Sequence, residues 1–384
     1  MRPFHEQAFG RGTHHMRFLS CTHCGMRVFF ENTFCEGCGS ALGFVPAEQA
    51  MVAFSVAQDG SWQRLGHAGA AQKPCINYTL HQVCNWMVPS DEHESLCTSC
   101  LTTTTIPALS KFENRVSWAA LEKAKRRLFY TLLTLGLPSP PKSQDPENGL
   151  CFKFLEDLHP HKRVLTGHDN GVITLNIAEA DDAKREKIRQ DMHEPYRTLV
   201  GHFRHESGHY YWDRLIRDTG WLDEYRRVFG DERLDYAAAL KAHYQHNAVP
   251  DPGSYISAYA SAHPWEDWAE CWAHYLHMVD GLETAQAWGL RLDCATPIPL
   301  PVQPQAVSLE TESIQSMLIQ HWLPVSQFVN AMNRSLGSSD SYPFVVTGQV
   351  IQKLDFVHRV VRAAVRGDMP MTFAPSAEPA DACR

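Results

Sequence analysis

Apolar residues recur along this chain at two spacings, and each spacing predicts an element. Over residues 106–137, Val116, Leu121, Leu128, Leu132 and Leu133 fall at helical intervals and predict one long helix. Asn170-Gly171 followed by the alternating run Val172 to Ile177 predicts a hairpin ending in a strand, because Asn-Gly accepts the positive φ angles of a tight turn. Tyr196, Leu199, Val200 and Phe203 return to helical spacing behind Pro195, a good first-turn residue, and predict a helix to about Ile216. A second strong helix starts near Pro264 (PWEDWAECWAHYLHMV), and residues 308–365 predict two more, broken at GSSDSYP.

Between the first helix and the hairpin lies PSPPKSQDPENG, Pro138 to Gly149, with the Pro, Ser and charge of a linker. The expected division is therefore a cysteine-rich module at 1–105, a helix and linker at 106–148, a mainly helical domain at 149–372, and a disordered tail at 373–384. The fold class expected is α+β.

Composition narrows the class. A content of 44% hydrophobic and 10% aromatic residues argues against long disorder, and a net charge of -8 gives no general attraction to nucleic acid. The charge is uneven: Arg2, Arg11, Arg17 and Arg27 make the start basic, and Lys111 to Arg127 carries six basic residues against two acidic ones. No stretch approaches the ~20 apolar residues of a membrane span, and MRPFHEQAFGRG lacks the apolar core of a signal peptide, so a cytoplasmic protein is expected. Met16 is a candidate alternative start.

Of twelve cysteines, eight lie between Cys21 and Cys100. Cys21, Cys24, Cys35 and Cys38 form CxxC-x10-CxxC with Gly25 and Gly39 behind the pairs, the pattern of a zinc ribbon in which four thiolates surround Zn(II) at about 2.3 Å. Cys75, Cys84, Cys97 and Cys100 make a looser second set; the alternative is that one of Cys75 and Cys84 is a buried thiol and His81 or His93 replaces it. Neither set offers an open coordination position, which assigns both to folding and recognition.

FRHESGHYYW carries the candidate chemistry. On a helix, His205 and His209 share a face and can present two imidazoles to one metal, with Glu206 beside the remaining coordination space as a base for a metal-activated water. Because HExxH is short enough to arise by chance, a third ligand has to be found. Glu266 and Glu270 lie one turn apart on the Pro264 helix, Glu266 as ligand and Glu270 as a carboxylate that orients an imidazole. Asp213, one turn past His209, is the rival third ligand; Asp267 points roughly 100° away from Glu266 around the helix.

HESGHYYW with a later E-x-x-x-E helix resembles the gluzincin branch of the zincin metallopeptidases. The whole chain resembles a bacterial family of zinc-binding metallopeptidases with an N-terminal zinc ribbon, through FLSCTHCG, CNWMVP, HESGHYYWDRL, HPWEDWAE, NRSLGSSDSYPF and KLDFVH. The resemblance implies a zincin-like domain with His205, His209 and Glu266 as zinc ligands and Glu206 as base, acting on a peptide or protein substrate. It further implies that Val172 to Ile177 offers a strand edge to substrate, and that Tyr259 stands where some gluzincins aim a tyrosine at the developing oxyanion; packing beside Tyr255 is the alternative for Tyr259. The expected cofactors are one catalytic and two structural Zn(II). The competing class is a binding protein whose ribbons and basic Lys111–Arg127 helix engage a protein or nucleic acid; intact Glu206 and the acidic net charge weigh against it.

Overall fold

The computed structural model describes residues 19–66, 68–157, 164–191, 197–246, 251, 253–292 and 312–368. In the first cysteine set each pair closes on a glycine in the left-handed region, Gly25 at φ 76° and Gly39 at φ 71°, and their amides return to the carbonyls of Cys21 and Cys35 at 2.9 and 2.8 Å. The chain then builds an antiparallel sheet from β1 (Ala41–Val45), β2 (Ala50–Val56) and β3 (Trp62–Leu65). A two-stranded sheet of β4 (Gln72–Pro74) and β5 (Met87–Pro89) follows, with the single turn α1 (Ile76–Thr79) between its strands.

The next strand, β6 (Thr103–Thr105), joins a different sheet, and the helix α2 (Phe112–Leu135) follows it. Helix α2 begins inside the predicted 106–137 and ends on Gly136, whose positive φ of 73° lets its amide cap the last turn. Trp118, Leu121, Leu128, Phe129 and Leu132 are buried along it. Three of the six basic residues from Lys111 to Arg127 pair with carboxylates of the chain itself. Lys125 pairs with Glu122 at 3.0 Å, both side chains fully buried, Arg126 donates to the Val83 carbonyl, Arg127 pairs with Glu31, and Lys111 with Glu156.

The Pro-rich segment expected as a linker is fastened down. Lys142 is buried and donates to the Pro146 and Glu147 carbonyls, while the Pro138 and Asn148 carbonyls accept from the hydroxyls of Tyr211 and Tyr210 at 3.0 Å each. Beyond it, β7 (Cys151–Leu155), β8 (Gly167–Asp169) and β9 (Val172–Asn176) complete a four-stranded sheet of order β6-β7-β9-β8. The hairpin turns through Asn170 and Gly171 at φ 46° and 79°, as the sequence predicts. Its second strand is not a sheet edge, however. Among the described residues β9 pairs with β7 on one side and β8 on the other, so the outer strands are β6 and β8: the hairpin folds its first arm outermost.

Helices α3 (Asp182–Asp191), α4 (Leu199–Leu215), α5 (Leu222–Phe229), α6 (Tyr236–His246) and α7 (Pro264–Ala287) come next. The cap of α4 is Thr198, whose hydroxyl accepts from the Gly201 amide at 3.0 Å; Pro195 and Tyr196 lie outside the described residues. α7 starts at Pro264 as predicted, capped by the His263 ring. α8 (Ile314–Ser316) runs through a π-helical turn into α9 (Leu323–Ser335), and α10 (Gly348–Arg366) follows the predicted break. The predicted disordered tail and the first eighteen residues lie outside the described residues. No described helix is long and apolar enough to cross a membrane.

One apolar core runs from Cys21 to Val361 without interruption at the expected boundaries. Its tightest crossing joins α4 to α7. A Cβ on Gly208 would stand 2.9 Å from the Ala269 Cα and 3.2 Å from its carbonyl, so only glycine permits this approach. Indole donors fix the crossing: Trp268 Nε1 to the Gly208 carbonyl at 2.8 Å and Trp272 Nε1 to Ser207 Oγ at 3.1 Å. Gly208→Ala is expected to lower unfolding free energy by ~1–3 kcal/mol through overpacking. Gly220→Ala, with open space around the new methyl, should change it by less than ~1 kcal/mol in chemical denaturation. Equal effects would remove the crossing as the constraint.

Candidate metal centre and cysteine clusters

The α4–α7 crossing sets the candidate site. His205 and His209, one turn apart on α4, face Glu266 in the first turn of α7: Glu266 Oε2 lies 3.0 Å from His205 Nε2 and 3.4 Å from His209 Nε2. These three residues are one of three groups among the described residues whose donor atoms all lie within 4.8 Å of one another. Glu266 is 1% exposed, and its Oε2 meets neither imidazole in hydrogen-bond geometry. Two imidazole nitrogens and a carboxylate oxygen thus aim at a common point instead of at each other, which is the donor set and disposition that suits a zinc ion.

Charge points the same way. Burial disfavours protonation of His205, yet the carboxylates of Glu266 and Glu270 beside it outweigh that and hold its pKa well above the ordinary range. Burial likewise favours a neutral Glu266, but His209 and His205 overcome that and keep it ionised, well below the usual carboxylate range. The carboxylates therefore demand positive charge between them, which a proton on His205 supplies in a metal-free chain and a divalent cation would supply better.

The remaining predicted residues fall around this point. Glu270 Oε1 bonds His205 Nδ1 at 2.7 Å, Ser257 donates to its other oxygen at 2.6 Å, and despite burial these contacts bring Glu270 down to about 2. Glu206 is buried with Oε2 free of any hydrogen-bond partner. Tyr259 sits in a short helical turn with its ring 5.8 Å from that of His205. Asp213 is not in the group: it pairs with Arg217 at 2.6 Å, and burial lifts its carboxyl to about 6. Asp267 is turned into the core against Lys353 at 2.5 Å.

Three neighbours carried no signal in the sequence. Tyr236 on α6 donates to Glu266 Oε1 at 2.6 Å, Ser257 supports Glu270, and His168 on the edge strand β8 stacks 6.3 Å from His209. Each comes from its own segment, with no spacing that ties it to α4 or α7. Trp265, which covers His209 at 3.9 Å between ring centroids, lies inside the HPWEDWAE stretch and was legible as a crowded helix face only.

The two cysteine sets form the other groups. Sulfur separations of 3.7 Å (Cys21–Cys38), 3.5 Å (Cys24–Cys35) and 3.7 Å (Cys84–Cys97) are far from disulfide length. They match the ~3.8 Å edge of a tetrahedron with ~2.3 Å zinc–sulfur bonds. His81 meets the Trp118 ring edge-on instead of replacing a cysteine.

Residues 114–360 match the family described as "Putative zinc-binding metallo-peptidase", and residues 18–111 match a zinc-ribbon domain. The chain belongs to this metallopeptidase family. Similar members of known sequence are uncharacterized proteins of Mycobacterium tuberculosis (strains CDC 1551 and H37Rv) and Mycobacterium bovis. Each is 43% identical over 350 residues, covering 90% of this chain and 95% of the relative. No solved structure matches the chain. The metallopeptidase match thus covers the unit that holds the His205–His209–Glu266 group, and the separate zinc-ribbon match covers both cysteine sets.

The two cysteine groups differ in cover: Cys24 and Cys38 are exposed, whereas Cys75, Cys84, Cys97 and Cys100 are all buried. Brief maleimide labelling of chelator-treated protein, followed by peptide mapping, should find Cys24 and Cys38 modified first. First labelling within the second set would mean that its cover opens before the ribbon does.

Proposed function

We propose that the chain is a zinc-dependent peptidase in which His205, His209 and Glu266 hold the metal and Glu206 is the general base. The observation that carries this is the convergence of His205 Nε2, His209 Nε2 and Glu266 Oε2, from two helices pinned together at Gly208. Zinc in such a site makes a water nucleophilic near neutral pH and polarises a carbonyl. Glu206, buried beside the ligands with an unpartnered oxygen, takes the proton of the attacking water and delivers it to the leaving amine. Glu270, braced by Ser257, fixes the His205 ring so that Nε2 faces the metal.

Peptide chemistry fits the surroundings. β8, an outer strand of its sheet among the described residues, lies beside α4, where an extended chain would pair with it by strand addition. Tyr259, beside His205, is the candidate donor to the developing oxyanion. The two cysteine sets would hold structural zinc, three ions per chain in all, and the exposed Met26, Phe29 and Phe34 on the first ribbon give it a surface for protein substrates or partners.

Native mass spectrometry should therefore count three zinc ions in wild type and in Glu206→Gln, while a peptide-library digest by Glu206→Gln shows no cleavage. Glu266→Ala should lose one ion, Glu270→Ala should weaken that ion by roughly 10- to 100-fold, and Asp213→Ala should keep all three. Loss of zinc in Asp213→Ala with retention in Glu266→Ala would assign the third ligand to the aspartate. Undiminished cleavage by Glu206→Gln would remove Glu206 from the mechanism.

A further inference from the structure

Glu266 has two oxygens, and the structure gives them different partners. Oε2 faces both imidazoles, while Oε1 accepts the Tyr236 hydroxyl at 2.6 Å, the length of a charge-assisted O–H···O⁻ bond. An ionised carboxylate only accepts, so the tyrosine is the donor. Tyr236 comes from α6, a helix with no buried residue among those described, and is itself 37% exposed. Core packing therefore does not explain why its hydroxyl reaches a carboxylate that is 1% exposed. Its ring is steered there by Trp265 and His263, at 5.8 and 5.3 Å between centroids, and His263 also meets the Leu234 carbonyl just ahead of α6.

A carboxylate can hold a metal through one oxygen or both. Binding through both would occupy the position that a catalytic site keeps open for water. We propose that Tyr236 is the positioning residue for Glu266: by holding Oε1 it leaves Oε2 alone to face the metal, so that Glu266 binds through one oxygen and a coordination position stays free. This rests on the metal-centre reading above and extends it to a residue outside both sequence motifs. It also ties the exposed helix α6 to the ligand set, so that a displacement of α6 is felt at the metal.

Tyr236→Phe isolates the hydroxyl, since the ring and its edge-on contact with Trp265 remain. The weakest-bound zinc is titrated against a chelator, and that site alone is then refilled with cobalt(II), whose visible band is several-fold more intense with four ligands than with five. Tyr236→Phe is expected to raise the dissociation constant about 10-fold and to weaken the cobalt band as the second carboxylate oxygen moves in, with an unchanged thermal unfolding midpoint. An unchanged dissociation constant and an unchanged band overturn the proposal. Glu266→Ala separates the two levels. If it strips the weak metal while Tyr236→Phe does nothing, only the role of Tyr236 falls. If Glu266→Ala keeps the metal, the centre itself is wrongly assigned. A Tyr236→Phe enzyme that loses turnover with both metal readouts intact makes the tyrosine a substrate-contacting group, and that too overturns the positioning role.

Discussion

The site exists because two helices approach closer than side chains ordinarily allow. Gly208 lies between His205 and His209 of α4, and its missing side chain admits the Ala269 backbone of α7. Adding one methyl there would push α7 outward, and Glu266, one turn earlier on α7, would move with it. The x-x of HExxH is thus not neutral filler in this chain: Ser207 and Gly208 are the two residues that Trp272 and Trp268 bind to lock the crossing. Ligand geometry and helix packing are one constraint seen from two sides.

Closeness alone would bring buried carboxylates together at a high cost in desolvation. The structure answers this in part, giving several polar atoms that face away from the centre a partner of their own, while His209 Nδ1 is buried without one. His205 Nδ1 has Glu270, Glu270 has Ser257, and Glu266 Oε1 has Tyr236. These contacts come from α6, from α7 and from the turn before α7, so the polar shell draws on chain segments that flank the packed crossing. Lys353 of α10 adds a further brace, bridging Asp267 on α7 to the Ser254 carbonyl just ahead of Ser257.

How much of this could be read beforehand follows from the range of the interactions. Residues whose roles depend on helical spacing, His205 with His209 and Glu266 with Glu270, were legible because one turn of helix fixes their relation. The cysteine sets were legible because knuckle glycines and short spacings are local. What was hidden depends on the order of strands or on distant segments: the hairpin's outer arm, β8, took the sheet edge from β9, and Tyr236 reached Glu266 from thirty residues upstream. The partners of the basic run in α2 were hidden for a related reason, since Glu31, Val83 and Glu156 all come from elsewhere in the chain.

The same long-range pairing bears on what the cysteine sets do. Cys100 opens a short helical turn that runs straight into β6, and β6 pairs with β7 in the sheet that carries the edge strand beside α4. Arg126 of α2 reaches back to the Val83 carbonyl, next to Cys84, and Thr131 of the same helix bonds Asp280 on α7, which also receives Arg204 of α4. A metal bound only by the folded state stabilises everything that folds with it. With one continuous core from Cys21 to Val361, that stabilisation extends through α2 to the crossing at Gly208, so structural zinc in the buried second set would support the helices that position Glu266. On this account the cysteine region is part of the frame that holds His205, His209 and Glu266 together.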